Sequence, residues 1–183
     1  MRKLGLISAL IITFSLAVLA VSVPPPSFAG TWSLDKAKSQ GLSPRMEGAD
    51  SVTWTITQDD KTFSLDQKVT GGTPPAGGGG GGGGMGGGRG PAGPVSYNLD
   101  GKEVTSDIPG GQVTGKSTLK ATWAGSALEL YRKIAFTTPD GERVSTNTQK
   151  LSLSADGKVL TAVVHNEGGR GGPSDSTLVF NKQ

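Results

Sequence analysis

The chain has no cysteine and a single histidine, His165. Without cysteine no disulfide closes a loop, no lipid can be attached through a thiol, and a zinc site of the common Cys/His type is out of reach. Stability must come from packing, which a chain of this length can supply. Aromatics are also few, with three Trp, two Tyr and five Phe in 183 residues. They suffice for one core but not for the two aromatic girdles of a transmembrane barrel as well. Catalytic groupings are missing too. No G-x-S-x-G elbow is present, and the carboxylates are scattered singly rather than gathered for calcium or acid–base work. Asp59-Asp60 is best read as a turn pair, and His165, beside Asn166 and Glu167, as a surface residue at a strand end rather than a general base. We therefore expect no enzyme, no cofactor and no metal.

What is present begins with a leader. Arg2 and Lys3 precede the 20-residue apolar run from Leu4 to Val23, then Pro24-Pro25-Pro26 and the small-x-small triplet Ser27-Phe28-Ala29. That order predicts a signal peptide over residues 1–29, export to the periplasm or medium, and a folded part starting at Gly30. Left uncut, the run would be long enough to cross a bilayer and would tether the same domain outside it. The three prolines stop the helix just before the cut and favour removal. Residues 30–183 amount to one domain. Arg2 and Lys3 also supply most of the excess of 18 basic over 15 acidic residues, so the pI near 9.2 is no footprint of nucleic-acid binding.

Beyond the leader, period-two alternation dominates. Val52, Trp54 and Ile56 share one face of a strand, followed by Phe63, Leu65 and Val69, then Leu119, Ala121 and Trp123. Further rows are Leu128, Leu130, Ile134 and Phe136, then Leu160, Ala162 and Val164, and finally Leu178 with Phe180. Asp100-Gly101, Ala124-Gly125, Pro139-Asp140-Gly141 and Asp156-Gly157 punctuate them as hairpin turns. The pattern predicts ten strands, near 31–34, 51–58, 61–69, 95–99, 102–106, 115–123, 127–136, 142–153, 158–166 and 175–181. The fold class is all-β, an up-and-down antiparallel barrel of about 8–10 strands, closed so that no edge remains. A lipid-facing band is not expected, because each strand has one apolar face and Val144 to Lys150 reads Val-Ser-Thr-Asn-Thr-Gln-Lys.

Short turns fall at one end of such a meander. Longer connections, at 35–50, 70–94, 107–114, 137–141 and 167–174, fall at the other. A ligand or partner would be met at that loop-rich end. Segment 70–94, with its run of glycines, reads as a flexible Gly/Pro-rich loop, and the two isolated Arg-Gly strings, at Arg89 and Arg170, as loop filler. Gly110 to Ser117 matches G-x-x-x-x-G-K-[ST] in full, but Lys116 to Trp123 alternates as a strand where a phosphate loop needs a helix.

Gly30-Thr31-Trp32 ahead of an antiparallel meander resembles the opening of lipocalin-like (calycin-type) barrels. The longer string Gly30-Thr31-Trp32-Ser33-Leu34-Asp35-Lys36-Ala37-Lys38-Ser39 resembles uncharacterised exported bacterial proteins that open in the same way. The chain departs from lipocalins in offering Lys182 where they carry an arginine near the last strand, and in lacking a helix after the barrel. The resemblance implies a non-catalytic protein that binds a small apolar or amphipathic ligand. Trp54, Phe63, Trp123, Leu130, Phe136 and Phe180 would line its interior, unless those side chains fill a narrow barrel solidly. Arg132 falls in an apolar row, so it either points inward, to hold an acidic group or stack on an indole, or returns to solvent at a bulge. The alternative function is an envelope-associated protein whose loop-rich end meets another protein or a polysaccharide.

Overall fold

The computed structural model describes residues 24–71, 93–108, 114–138, 141–168 and 172–183. The expected leader up to Val23 and the glycine-rich run within 72–92 lie outside the described residues. Within them the chain forms ten strands and one short helix: β1 (Gly30–Leu34), α1 (Pro44–Glu47), β2 (Ser51–Gln58), β3 (Thr62–Thr70), β4 (Val95–Asn98), β5 (Val104–Ile108), β6 (Thr114–Ala124), β7 (Ala127–Thr138), β8 (Gly141–Leu153), β9 (Val159–Gly168) and β10 (Ser174–Lys182). The helix falls in a connection expected to be irregular. Pro44 at its first position and the Ser43 side chain, which accepts from the Met46 N–H, account for its start.

All ladders are antiparallel, and β1 pairs with both β2 and β10. The sheet order β4-β3-β2-β1-β10-β9-β8-β7-β6-β5 therefore bends round into a nearly closed up-and-down barrel. Full closure, with no edge left, is not what the structure shows. β4 and β5 are consecutive in the chain yet unpaired, despite the Asp100-Gly101 turn between them. The registers give the reason. β4 lies against Thr62–Leu65, at the turn end of β3, whereas β5 begins opposite Leu119 and covers only the other half of β6. The two short strands are staggered along the barrel axis, and β4 comes alongside β6 instead.

The ends differ as expected. The turns around Asp59, Gly125 and Asp156 share one end with the start of β1 and the end of β10. Carboxylates tie these turns. Asp59 accepts from the N–H groups of Lys61 and Thr62 at 2.8 and 2.7 Å, and Asp156 from the Ser154 hydroxyl at 2.6 Å. Those bonds hold both carboxylates below their ordinary pKa.

Inward side chains alternate along each strand and meet in one core, in which Phe28, Trp32, Trp54, Phe63, Leu128, Leu151, Leu160 and Phe180 are fully buried. Burial of each is worth roughly 1.5–3 kcal/mol. Outside, the large apolar side chains exposed among the described residues are Val104, Val144 and Val163, on three different strands and too few for a lipid-facing band. Among the described residues no helix is long and apolar enough to cross a membrane.

Of the phosphate-loop match, residues 110–113 lie outside the described residues and the remainder is strand. Gly115, Lys116 and Ser117 belong to β6, with Lys116 facing Asp107 at 3.7 Å and Ser117 buried. Gly115 sits opposite Phe136, and a Cβ added there would come within 2.6 Å of the Phe136 ring. The glycine is a seat for an aromatic ring, not a cradle for phosphate. Gly115→Ala should lower the urea midpoint by an amount equivalent to roughly 1–3 kcal/mol with the m-value unchanged; an unshifted midpoint would mean that the ring does not rest on this glycine.

Candidate functional site

The barrel interior changes character along its axis. On β7 the inward row runs Leu128, Leu130, Arg132, Ile134, Phe136 from the turn end outward, and on β8 it runs Leu151, Gln149, Asn147. β6 contributes Trp123, Ala121, Leu119 and then Ser117, and β9 contributes Leu160, Ala162, Val164 and then Asn166. On these strands the half near the tight turns is apolar, and the half near the long connections mixes polar groups with Ile134 and Phe136.

Three amides and a hydroxyl in the polar half form a relay across three strands. Gln149 Nε2 donates to Asn147 Oδ1 at 2.7 Å, and Asn147 Nδ2 donates to Asn166 Oδ1 at 2.7 Å. Asn166 Nδ2 then donates to Ser174 Oγ at 3.3 Å, at the rim. The strands supply the geometry, since Asn147 is paired with Asn166 and Asn166 with Ser174.

Arg132 is the register partner of Asn147 on one side and Leu119 on the other. Only 5 % of it is exposed, and its buried Nε has no acceptor. No bulge returns it to solvent, because the β6–β7 and β7–β8 registers run without interruption through it. Burial holds its guanidinium below its ordinary pKa, opposed by the phenol of Tyr97, which reaches it from β4 across the seam. Burial in turn pushes the Tyr97 hydroxyl up to about 12, so it is neutral at any ordinary pH. A buried guanidinium facing a neutral phenol and neutral amides, with no carboxylate paired to it among the described residues, is a cation without a described counter-charge.

The other residues read from the sequence as ligand-lining are placed as follows. Trp54 packs on Phe180 with centroids 4.2 Å apart and donates through Nε1 to Gln67 Oε1 at 3.0 Å. Phe63 meets Phe28 and Tyr97 edge-on, and Trp123 stacks on Phe28. Leu130 is buried at mid-height, while Phe136 is half-buried toward the loop-rich end, over Gly115. Phe63, Trp123 and Phe180 thus stand in the apolar half, packed against other side chains. Only Arg132 and Phe136 stand in the polar half.

The amide relay and Tyr97 were not singled out from the sequence. Period two does put Ser145, Asn147 and Gln149 in the inward row of Leu151, which was the available signal. A shallow groove of about 290 Å³ on the outer wall, beside Glu103, Lys120, Glu129 and Tyr131, has no buried polar group aimed into it. Among the described residues no group of three or more His, Asp or Glu side chains is placed to hold a metal ion. No protein-family model matches the chain, and no curated protein matches it.

His165 lies on the outer face of β9, exposed, as its sequence position predicts. Its Nδ1 meets Asp175 at 2.6 Å and its Nε2 meets Glu167 at 3.2 Å. Both hydrogen bonds favour the imidazolium and raise its pKa above 6.5. The folded chain therefore holds this proton more tightly than the unfolded one. The stabilisation is complete below the unfolded value and fades as pH rises through the raised folded value. His165→Gln should lower the melting temperature near about pH 6 and have little effect above about pH 8. A deficit that grows with pH would contradict this.

Proposed function

We propose that this chain is an exported, non-catalytic, lipocalin-like barrel that binds a small amphipathic molecule. Arg132 takes the anionic group of that molecule in the loop-rich half of the interior. One observation carries the reading: Arg132 is 95 % buried with its Nε unpartnered, inside a barrel whose neighbouring groups are neutral. Leaving a buried charge unpaired costs several kcal/mol, and uncompensated polar groups of this kind cluster at binding sites. A carboxylate, sulfate or phosphate ester would supply the missing acceptors in bidentate geometry. The relay of Gln149, Asn147 and Asn166 adds neutral donors and acceptors beside it. Because Trp32, Trp54, Phe63 and Phe180 fill the other half, the apolar part of the ligand lies against Ile134 and Phe136. Export is supported by the Arg2-Lys3 start and the apolar run after it, and the lipocalin-like assignment by Gly30-Thr31-Trp32 opening the first strand of a ten-stranded antiparallel barrel.

The test pairs affinity with stability. Decanoate and decanol are titrated against the protein and its Arg132→Met variant, following tryptophan emission. Decanoate should bind saturably and at least about tenfold more tightly than decanol, a preference of about 1.4 kcal/mol, and the variant should lose that preference. The same variant should be more stable than the parent by about 1–4 kcal/mol, since an unpaired buried charge is replaced by an apolar side chain of similar length. No saturable binding of either probe, or a variant that keeps the preference, would reject the reading. A destabilised variant would instead give Arg132 a structural role.

A further inference from the structure

The six residues ahead of β1 are part of the barrel. Phe28 is fully buried and closes the tight-turn end, its ring stacked on Trp123 at 6.1 Å and edge-on to Phe63 at 6.3 Å. Its backbone is held as firmly as its ring. The Phe28 N–H donates to Gln58 Oε1 at 2.9 Å, and Gln58 Nε2 donates back to the Pro26 carbonyl at 3.2 Å. The Phe28 carbonyl accepts from Trp32 Nε1 at 2.9 Å in a buried bond. We propose that the working protein keeps Pro24–Ala29 as a strap plugging this end. The processing cut then falls upstream, after the triplet Val18-Leu19-Ala20, and not after Ala29.

Removal at Ala29 would undo three things together. It would empty the space between Trp123 and Phe63, and a void of aromatic size in a packed interior is among the most destabilising lesions known. It would leave the indole N–H of Trp32, a residue with no exposed surface, without an acceptor. It would also place a new α-ammonium on Gly30, where a Cβ would already lie 3.7 Å from Lys182 Nζ, the cation that sits over the Trp32 ring. None of these follows from an upstream cut. Val18-Leu19-Ala20 puts the small Ala20 directly before the cut with an uncharged aliphatic residue two places ahead of it, and it leaves an apolar core from Leu4 of ordinary leader length. Hydrolysis of the Ala20–Val21 peptide bond adds one water across it, leaving a carboxylate on Ala20 and an amino group on Val21.

This inference rests on the export reading above, and one experiment separates the two. The full chain is produced in a bacterium with a general export pathway, and the exported fraction is analysed by intact mass and N-terminal sequencing. The expected product starts at Val21. Ala20→Leu should accumulate uncut precursor, while Ala29→Leu should be processed normally. An exported product starting at Gly30 overturns the strap alone, whereas uncut chain retained in the cytoplasm overturns the export reading and with it the upstream cut. Phe28→Ala in the full chain should melt roughly 10 °C lower than the parent, and an unchanged melting temperature would show that Phe28 plugs nothing.

Discussion

The ladder between the first strand and the last turns this meander into a barrel. Trp32 pairs with Lys182 and Leu34 with Phe180, and beyond the strand the chain keeps hold of β10 through Asp35 N–H to the Val179 carbonyl at 2.8 Å and Gln40 to Thr177 at 2.8 Å. Without that seam the ten strands would form two shorter meanders, each with one apolar face open to water. With it, indoles from β1 and β2 and the ring of Phe180 converge on a shared centre, and Trp54 comes within 4.2 Å of Phe180. In a chain with no disulfide, this closure by backbone hydrogen bonds and buried aromatics does the work of a covalent tie.

Closure also creates the contrast between the two ends. Side chains from all sides fill the tight-turn half, and Phe28 completes it. Toward the long connections the same inward rows turn polar, and β5, exposed along most of its length, leaves the wall there less complete. Arg132 and the amides of Gln149, Asn147 and Asn166 belong to that half. A guanidinium there sits in low dielectric with neutral neighbours. His165 is the counterexample on the outer wall. It has two carboxylate partners, but it is exposed.

Much of the fold was legible because a strand with one buried face writes its period into the chain. The ten strands lie within about two residues of their expected positions, and the turn carboxylates Asp59 and Asp156 do what turn chemistry assigns them. The failures have a common physical origin. Asp100-Gly101 is a sound hairpin signal, yet β4 and β5 do not pair, because their registers on β3 and β6 were set by other contacts. The site was less legible than the fold. Arg132 stood out as a charge in an apolar row, but the row could not say whether any carboxylate faced it.

Local chemistry thus determined the all-β class, the order of the strands, the division of connections between two ends and the strand character of Gly115-Lys116-Ser117. These depend on neighbours within a few residues, so they can be read along the chain. Only the tertiary structure decided that β4 and β5 stay unpaired, that the buried Arg132 Nε has no acceptor, that Asn147 reaches Asn166, and that Phe28 belongs to the core. Each of those is a contact between residues far apart in sequence, or the absence of one, and no local pattern encodes which distant groups a closed barrel brings face to face.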